Sequence, residues 1–284
     1  MKNDLMAKLS SGAGMSKGQK ALSEYILNNF DKAAFMTAAK LGSVTGVSES
    51  TVVRFAVSMG YEGYPEFQTA LRELLRTKLT SVQRMEVSDG LIKGDVVESV
   101  LSADITNIRG TMESLSRTDF ENAVNYILGA EHIYVIGMRS SAFLAGFITF
   151  NFRYMFRNVT QVQTTSGSEI FEQLLRAGEK DVIFAISFPR YSSRIITAVD
   201  FAKSKGCKVI ALTDGKSSPI AAQADACLYA KSDMASFADS LVAPLTVIDA
   251  LNAAISSRKK DELSNVFSQL EKIWDDYNVY DKER

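Results

Sequence analysis

Histidine occurs once in the 284 residues, as His132, which excludes metal sites built from two or more imidazoles. Cysteine occurs twice, as Cys207 and Cys227, too few for a disulfide framework. Both lie in apolar, strand-like runs, so reduced, buried thiols in a cytoplasmic protein are expected. No apolar run approaches the ~18 residues that a membrane helix needs, so no membrane association is expected. The opening "MKNDLMAKLSSGAG" lacks an apolar core segment, so no secretory leader is expected. The net charge is only −1, which excludes a polyanion binder or an acidic tail protein as a description of the whole chain. A Gly-x-Gly-x-x-Gly fingerprint is missing: "VIGMRSSAFLA", after the first strand candidate, has one glycine. No dinucleotide, and no other cofactor, is expected.

What is present is an ordinary globular composition, 46% apolar and 23% charged. The charge is uneven. Residues 1–80 carry ten Lys/Arg against seven Asp/Glu, and the rest carries 22 against 26. A mildly basic head on an acidic body permits nucleic-acid binding by the head.

The first 80 residues read as helices. "SKGQKALSEYILNNF" places Ala21, Leu22, Tyr25 and Ile26 at helical spacing, and Pro65 opens the helix of "YPEFQTALRELLRTKL". Residues 81–118 read as a helical linker. From about 120, short apolar runs alternate with helices. The strand candidates are "HIYVIGM", "VTQVQT", "DVIFAISF", "KVIALTD" and "ACLYAK". The intervening "SSAFLAGFITFNFRYMF", "SEIFEQLLRAG", "SSRIITAVDFAKSKG" and "SPIAAQA" are the helix candidates. That alternation predicts a parallel sheet covered on both faces. The domains expected are therefore 1–80, a linker 81–118, an α/β domain 119–258 and a terminal helix 259–284. On that last helix Phe267, Leu270, Ile273 and Trp274 form an apolar stripe, which either docks on its own domain or contacts a second copy.

"MTAAKLGSVTGVSESTVVRFAVSMGY" has the pattern of a helix-turn-helix. Thr37 can cap a helix from Ala38 to Val44, Gly46 can take the left-handed turn, and Ser48 can cap a second helix through the N–H of Thr51. On the second helix Val52, Phe55, Ala56 and Met59 share the inward face. Glu49, Ser50, Thr51, Arg54 and Ser58 face out. Small hydroxyls at a helix start, with an arginine one turn later, suit entry into the major groove. The alternative is the plain surface of a helical bundle.

Two strand-to-helix junctions carry hydroxyls. The first has Ser140 and Ser141. The second, "SFPRYSSR", has Ser187 at the strand end, then Ser192 and Ser193 at the helix start. The unpaired first-turn amides of a helix favour an anion. In an open parallel sheet both loops lie at the carboxyl ends of strands, where ligands bind. If the two strands are neighbours, the loops converge on one phosphate-type group. The alternative is that the serines are helix caps.

The chain also resembles a known family. "VSESTVVRF" and "GYEGYPEF" are the most specific parts of a resemblance to RpiR-type transcriptional regulators, which join a helix-turn-helix to a sugar isomerase (SIS) domain. The resemblance runs from about residue 5 to 258. It implies an all-α helix-turn-helix domain followed by a doubly wound, flavodoxin-like α/β domain with a five-stranded parallel sheet. It implies Ser50, Thr51 and Arg54, at the helix capped by Ser48, as DNA readers, and Lys40 and Tyr64 as phosphate contacts. SIS domains bind phosphosugars through a Gly-x-Gly-x-Ser loop and a Ser-x-Ser-Gly-x-Ser/Thr loop. Ser141 matches the first serine, with Ser140 beside it, and Ser187 and Ser192 match the outer positions of the second loop.

The departures from that pattern concern charge. Arg139 stands where the first loop has its second glycine, Pro189 replaces a serine, and Arg190 replaces a glycine. A guanidinium fork suits phosphate or carboxylate, so Arg190, with Arg139, is the candidate for the anionic end of a ligand; the alternative is that either arginine pairs with an acid of a partner subunit. Glu169 falls where SIS enzymes have an acidic residue near the sugar; it either binds a hydroxyl or serves as a first-turn helix acid. SIS isomerases also use a histidine, and His132 opens the first strand instead. The resulting expectation is a DNA-binding regulator of carbohydrate metabolism genes. Its partners would be a double-stranded operator and a phosphosugar effector. It would be a homodimer or homotetramer, with repression relieved by ligand as the family default. The rival reading is a phosphosugar isomerase or lyase whose head is an oligomerisation module.

Overall fold

The computed structural model describes residues 2–281 apart from 13, 79, 93 and 164–167, with backbone alone for 2–4, 31, 73, 76–78 and 89–91. The chain separates into two compact units, residues 1–93 with 236–238, and 94–235 with 239–284.

The first unit is helical: α1 (Lys2–Ser11), α2 (Lys17–Asn28), α3 (Phe30–Ala33), α4 (Ala38–Thr45), α5 (Glu49–Ser58), α6 (Tyr64–Lys78) and α7 (Ser81–Leu91). Its core forms where the apolar phases of these helices meet. Leu22 and Ile26 of α2, Leu41 of α4, Phe55 of α5, and Phe67 and Leu71 of α6 are fully buried. Phe55 and Phe67 meet edge to face, 5.7 Å between ring centres. Burying each such side chain contributes about 1.5–3 kcal/mol.

The second unit runs α8 (Val96–Ser114), α9 (Arg117–Gly129), β1 (Ile133–Gly137), α10 (Ser141–Met155), β2 (Val159–Val162), α11 (Glu169–Gln173), β3 (Val182–Ile186), α12 (Ser193–Ser204), β4 (Lys208–Thr213), β5 (Ala226–Tyr229), α13 (Val242–Arg258) and α14 (Lys260–Asp276). All five strands are parallel, in the order β2-β1-β3-β4-β5. One sheet face is covered by α9, α10 and α13 through Ile127, Ile148, Phe152 and Leu251. The other is covered by α11 and α12 through Ile170 and Val199. Every residue of β1 and β3 is buried, which is why both read as unbroken apolar runs. This is the doubly wound, flavodoxin-like arrangement expected.

Two local expectations change. "SPIAAQA" forms only a single 3-10 turn, Ala221–Gln223, because the stretch between Pro219 and β5 is too short for a full helix. "SEIFEQLLRAG" is helical over only five residues. Pro244 sits within the first turn of α13 and does not break it, since an N–H there has no intrahelical acceptor. In the stretch 81–118, α7 falls in the first unit and α8 in the second. The terminal helix α14 lies along α10 and α13, with Phe267 5.5 Å from the ring of Tyr154, and none of its residues is buried. No helix among the described residues is long and apolar enough to cross a membrane.

Candidate functional sites

The α4–α5 pair is built by its caps. The Thr37 hydroxyl accepts the Lys40 amide at 3.2 Å, Gly46 turns the chain at φ 71°, and the Ser48 hydroxyl accepts the Thr51 amide at 3.3 Å. Gly42 lets the turn close: a Cβ there would lie 2.7 Å from the carbonyl oxygen of Val47. Val52, Phe55, Ala56 and Met59 are buried, as their spacing predicts. Ser50 and Arg54 are exposed, and Arg54 Nη2 reaches the Thr51 hydroxyl at 3.5 Å. Ser48, Ser50 and Thr51 share hydroxyl contacts of 2.9 Å at the helix start. Lys40 is exposed on α4.

Tyr64 requires correction. It is 5% exposed, and its hydroxyl donates to the Met36 carbonyl at 2.7 Å. Burial pushes its pKa up to about 12, against the lowering effect of the Arg72 charge. It ties α6 to the start of the α4 segment and is not open to a phosphate. Val53 and Val57, which the sequence reading passed over, are exposed on the same side of α5 as Ser50 and Arg54. Their signal was the helical phase: they lie opposite the buried stripe.

In the second unit β1 and β3 are neighbours, with Gly137 paired to Ile186. The two serine loops therefore leave adjacent strands at one level. They do so where the strand order reverses, the place where doubly wound sheets bind ligands. Gly137 is required there, since a Cβ would lie 2.3 Å from the Ser141 carbonyl oxygen. Arg139 holds a left-handed backbone, φ 56°, and its side chain is exposed. Ser141 is buried at the head of α10. Neither Ser140 nor Ser192, at the N-terminal boundaries of α10 and α12, makes a side-chain cap bond. Their hydroxyls are thus not spent on capping.

Ser187 is 2% exposed, and its Oγ has no hydrogen-bond partner among the described residues. A buried hydroxyl left in that state costs about 1–3 kcal/mol, which a ligand oxygen would recover. The start and middle of "SFPRYSSR" are tied to the end of β4 and the residue after it: the Thr213 hydroxyl donates to the Ser187 carbonyl at 2.6 Å, and the Tyr191 hydroxyl donates to Asp214 at 2.8 Å. The sequence reading missed Thr213 and Asp214, because only the strand order places them beside this loop. Arg190 and Ser193 are exposed at the same loop. Glu169 opens α11, after β2 on the far side of β1 from β3.

His132 is elsewhere. It precedes β1, at the amino edge of the sheet, where its Nε2 meets the Thr160 hydroxyl at 2.8 Å and its ring stacks on Tyr134 at 4.2 Å. Burial lowers its pKa, against the raising effect of Asp181. Five residues of strand, about 16 Å, separate it from the serine loops. Both cysteines are buried, and burial pushes the Cys207 thiol up to about 11 and Cys227 upward.

The comparisons with known proteins match both units. Residues 4–78 match a family model described as a helix-turn-helix domain of the rpiR family, and residues 126–254 match the SIS domain. The chain joins a helix-turn-helix domain of the rpiR family to a SIS domain. Relatives include the HTH-type transcriptional regulator HexR of Escherichia coli K12, 27% identical over 270 residues, or 89% of each chain. HexR of Pseudomonas aeruginosa is 24% identical over 265 residues, or 91% of each. The sugar isomerase domain of an RpiR transcription factor from Sphaerobacter thermophilus superposes with a TM-score of 0.58 at 29% identity, covering 61% of this chain and 96% of that one. NanR of Vibrio vulnificus, complexed with ManNAc-6P, gives 0.60 at 22% identity over 98% and 100%, a likeness of fold. The chain is thus a helix-turn-helix transcriptional regulator with a SIS domain, and its curated relatives carry regulator names.

Proposed function

We propose that the SIS unit is the sensor of this RpiR-type regulator and that its ligand is a phosphosugar or a related anionic sugar. The observation that carries this is the buried Ser187 hydroxyl at the β1/β3 switch point, which has no hydrogen-bond partner among the described residues. The same two loops carry the hydroxyls of Ser140, Ser141, Ser192 and Ser193 and the guanidinium groups of Arg139 and Arg190. Hydroxyls, helix-start amides and guanidinium forks together form a donor set for a phosphate dianion. Glu169 then accepts from a sugar hydroxyl.

In the same proposal residues 1–80 read DNA, 81–118 link, 119–258 sense and 259–284 close the chain. Ser50, Thr51 and Arg54 face base edges, Val53 and Val57 meet thymine methyl groups, Ser48 holds the helix start, and Lys40 holds a phosphate. Paired half-sites call for a symmetric homodimer or a homotetramer. Ligand binding shifts the arrangement of two reading heads by its differential affinity for two states, and repression relieved by ligand is the sign adopted. The regulated genes serve carbohydrate metabolism. Catalysis is not part of the proposal. The sole imidazole is engaged with Thr160 at the opposite edge of the sheet, out of reach of a substrate in the serine loops.

The test is a thermal-shift screen of sugar phosphates against their unphosphorylated counterparts, because a ligand of the folded state raises Tm by mass action. Stabilisation confined to phosphorylated sugars supports the assignment. Equal response to sugar and sugar phosphate, or turnover of a stabilising phosphosugar, contradicts it.

A further inference from the structure

Helix α8 is amphipathic the wrong way round for a helix docked on its own domain. Its polar side is the buried one. Asn107 Nδ2 donates to the Asp233 carbonyl at 2.9 Å, and the Asp233 amide donates back to Asn107 Oδ1 at 3.1 Å. The Lys231 amide donates to the Thr111 hydroxyl at 2.8 Å, and the Ser240 hydroxyl donates to Asp104 at 2.5 Å. Gly110 keeps that side close, since a Cβ there would lie 3.3 Å from Lys231 Cγ. Rotating α8 to hide other residues would strand Asn107 and two backbone amides without partners.

The side left outward is apolar. Val97 is 66% exposed, Leu101 57%, Ile105 48% and Met112 62%, with Ile108 half-buried between them. At 3.6 residues per turn these five fall within an arc of about 80°, a stripe about 22 Å long. One flank of the stripe carries Glu98 and Arg109, both exposed and within about 20° of each other around the helix axis.

We propose that α8 packs antiparallel against α8 of a second copy across a two-fold axis between Ala103 and Asp104. The charges select this occupant. In an antiparallel pair, residues on the same flank face each other, so Glu98 of each copy meets Arg109 of the other. The midpoint of 98 and 109 falls within about one residue of the centre of the apolar stripe, so one axis satisfies both patterns. Two stripes bury on the order of 500 Å² of apolar surface. At the usual apolar share of roughly 60%, that belongs to a contact of roughly 800 Å², the size of a weak, reversible association. The pairing rests on the regulator reading in one respect: it gives that reading its second copy, through the helix that begins just past the end of the first unit.

The test is sedimentation-equilibrium analysis of the full chain and of Leu101→Glu/Ile105→Glu, with circular dichroism as the check on folding. Both positions are at the surface, so the variant keeps its helix content. The expected result is a rise in dimer Kd on the order of 100-fold. Glu98→Arg and Arg109→Glu should each weaken the dimer, and the double exchange Glu98→Arg/Arg109→Glu should restore it. Unchanged association of the Leu101/Ile105 variant, or a double exchange no better than the singles, overturns the proposal. A monomeric wild-type chain overturns it too. If the dimer depends on α8 but no duplex from a randomised pool is bound, the regulator reading fails and this one stands. If DNA is bound and the α8 variants dimerise normally, the reverse holds.

Discussion

Replacing Ser187 with alanine should do two opposite things at once. In the free protein the hydroxyl is buried without a partner among the described residues, so its removal relieves a desolvation cost of about 1–3 kcal/mol. The backbone bonds of that residue, its amide to the Leu212 carbonyl and its carbonyl to Thr213, survive the change. The ligand-free Tm should therefore rise, by roughly 2–4 °C for each kcal/mol in a unit of this size. With a phosphosugar, the variant lacks a charge-assisted hydrogen bond of about 1.5–3 kcal/mol, a loss of about 10- to 100-fold in affinity. The assay is calorimetric: scanning for the free protein, titration with the best sugar phosphate from the screen. A ligand-free variant less stable than the parent would refute the orphan-hydroxyl argument. Unchanged affinity would refute the placement of the phosphate at the β1/β3 loops.

Other consequences follow from neighbouring residues. Gly137→Ala should destabilise by about 3 kcal/mol or more in urea unfolding, because its Cβ would collide with the Ser141 carbonyl oxygen at 2.3 Å; a loss under ~1 kcal/mol would show that the α10 start can retreat. Arg139→Gly should relieve the left-handed backbone and stabilise the free protein by up to about 1 kcal/mol, while weakening sugar-phosphate binding several-fold in the same titration. For His132 the folded pKa lies below the ordinary 6.5, so the unfolded chain takes up the proton first as pH falls. Stability should be full above about pH 6.5 and decline below it, and His132→Gln should flatten that decline in denaturation midpoints measured at pH 7.5 and 5.5.

Much of the architecture was legible because it rests on local chemistry. Thr37, Gly46 and Ser48 announce their caps and turn within a few residues, and the structure forms each of them. The runs of β1 and β3 are apolar throughout because both sheet faces are covered. What was not legible depends on contacts between distant segments. Tyr64 looked like a surface phosphate contact until Met36, 28 residues away, was found to accept its hydroxyl bond. Thr213 and Asp214 join the serine loop only through the pairing of β3 with β4. The inverted face of α8 depends on Lys231, Asp233 and Ser240, more than a hundred positions downstream. Each serine could have been a cap from sequence alone; the missing cap bonds at Ser140 and Ser192 come from the backbone geometry there.

In the proposed function, occupancy of the SIS loops changes DNA binding by the helix-turn-helix. Its direct measurement is the affinity of the full chain for a duplex selected from a randomised pool, at fixed salt, with and without a saturating sugar phosphate. The expected change is on the order of 5- to 150-fold, abolished by Ser187→Ala at ligand concentrations that saturate only the parent. Equal affinity with the loops empty and with them occupied would contradict it.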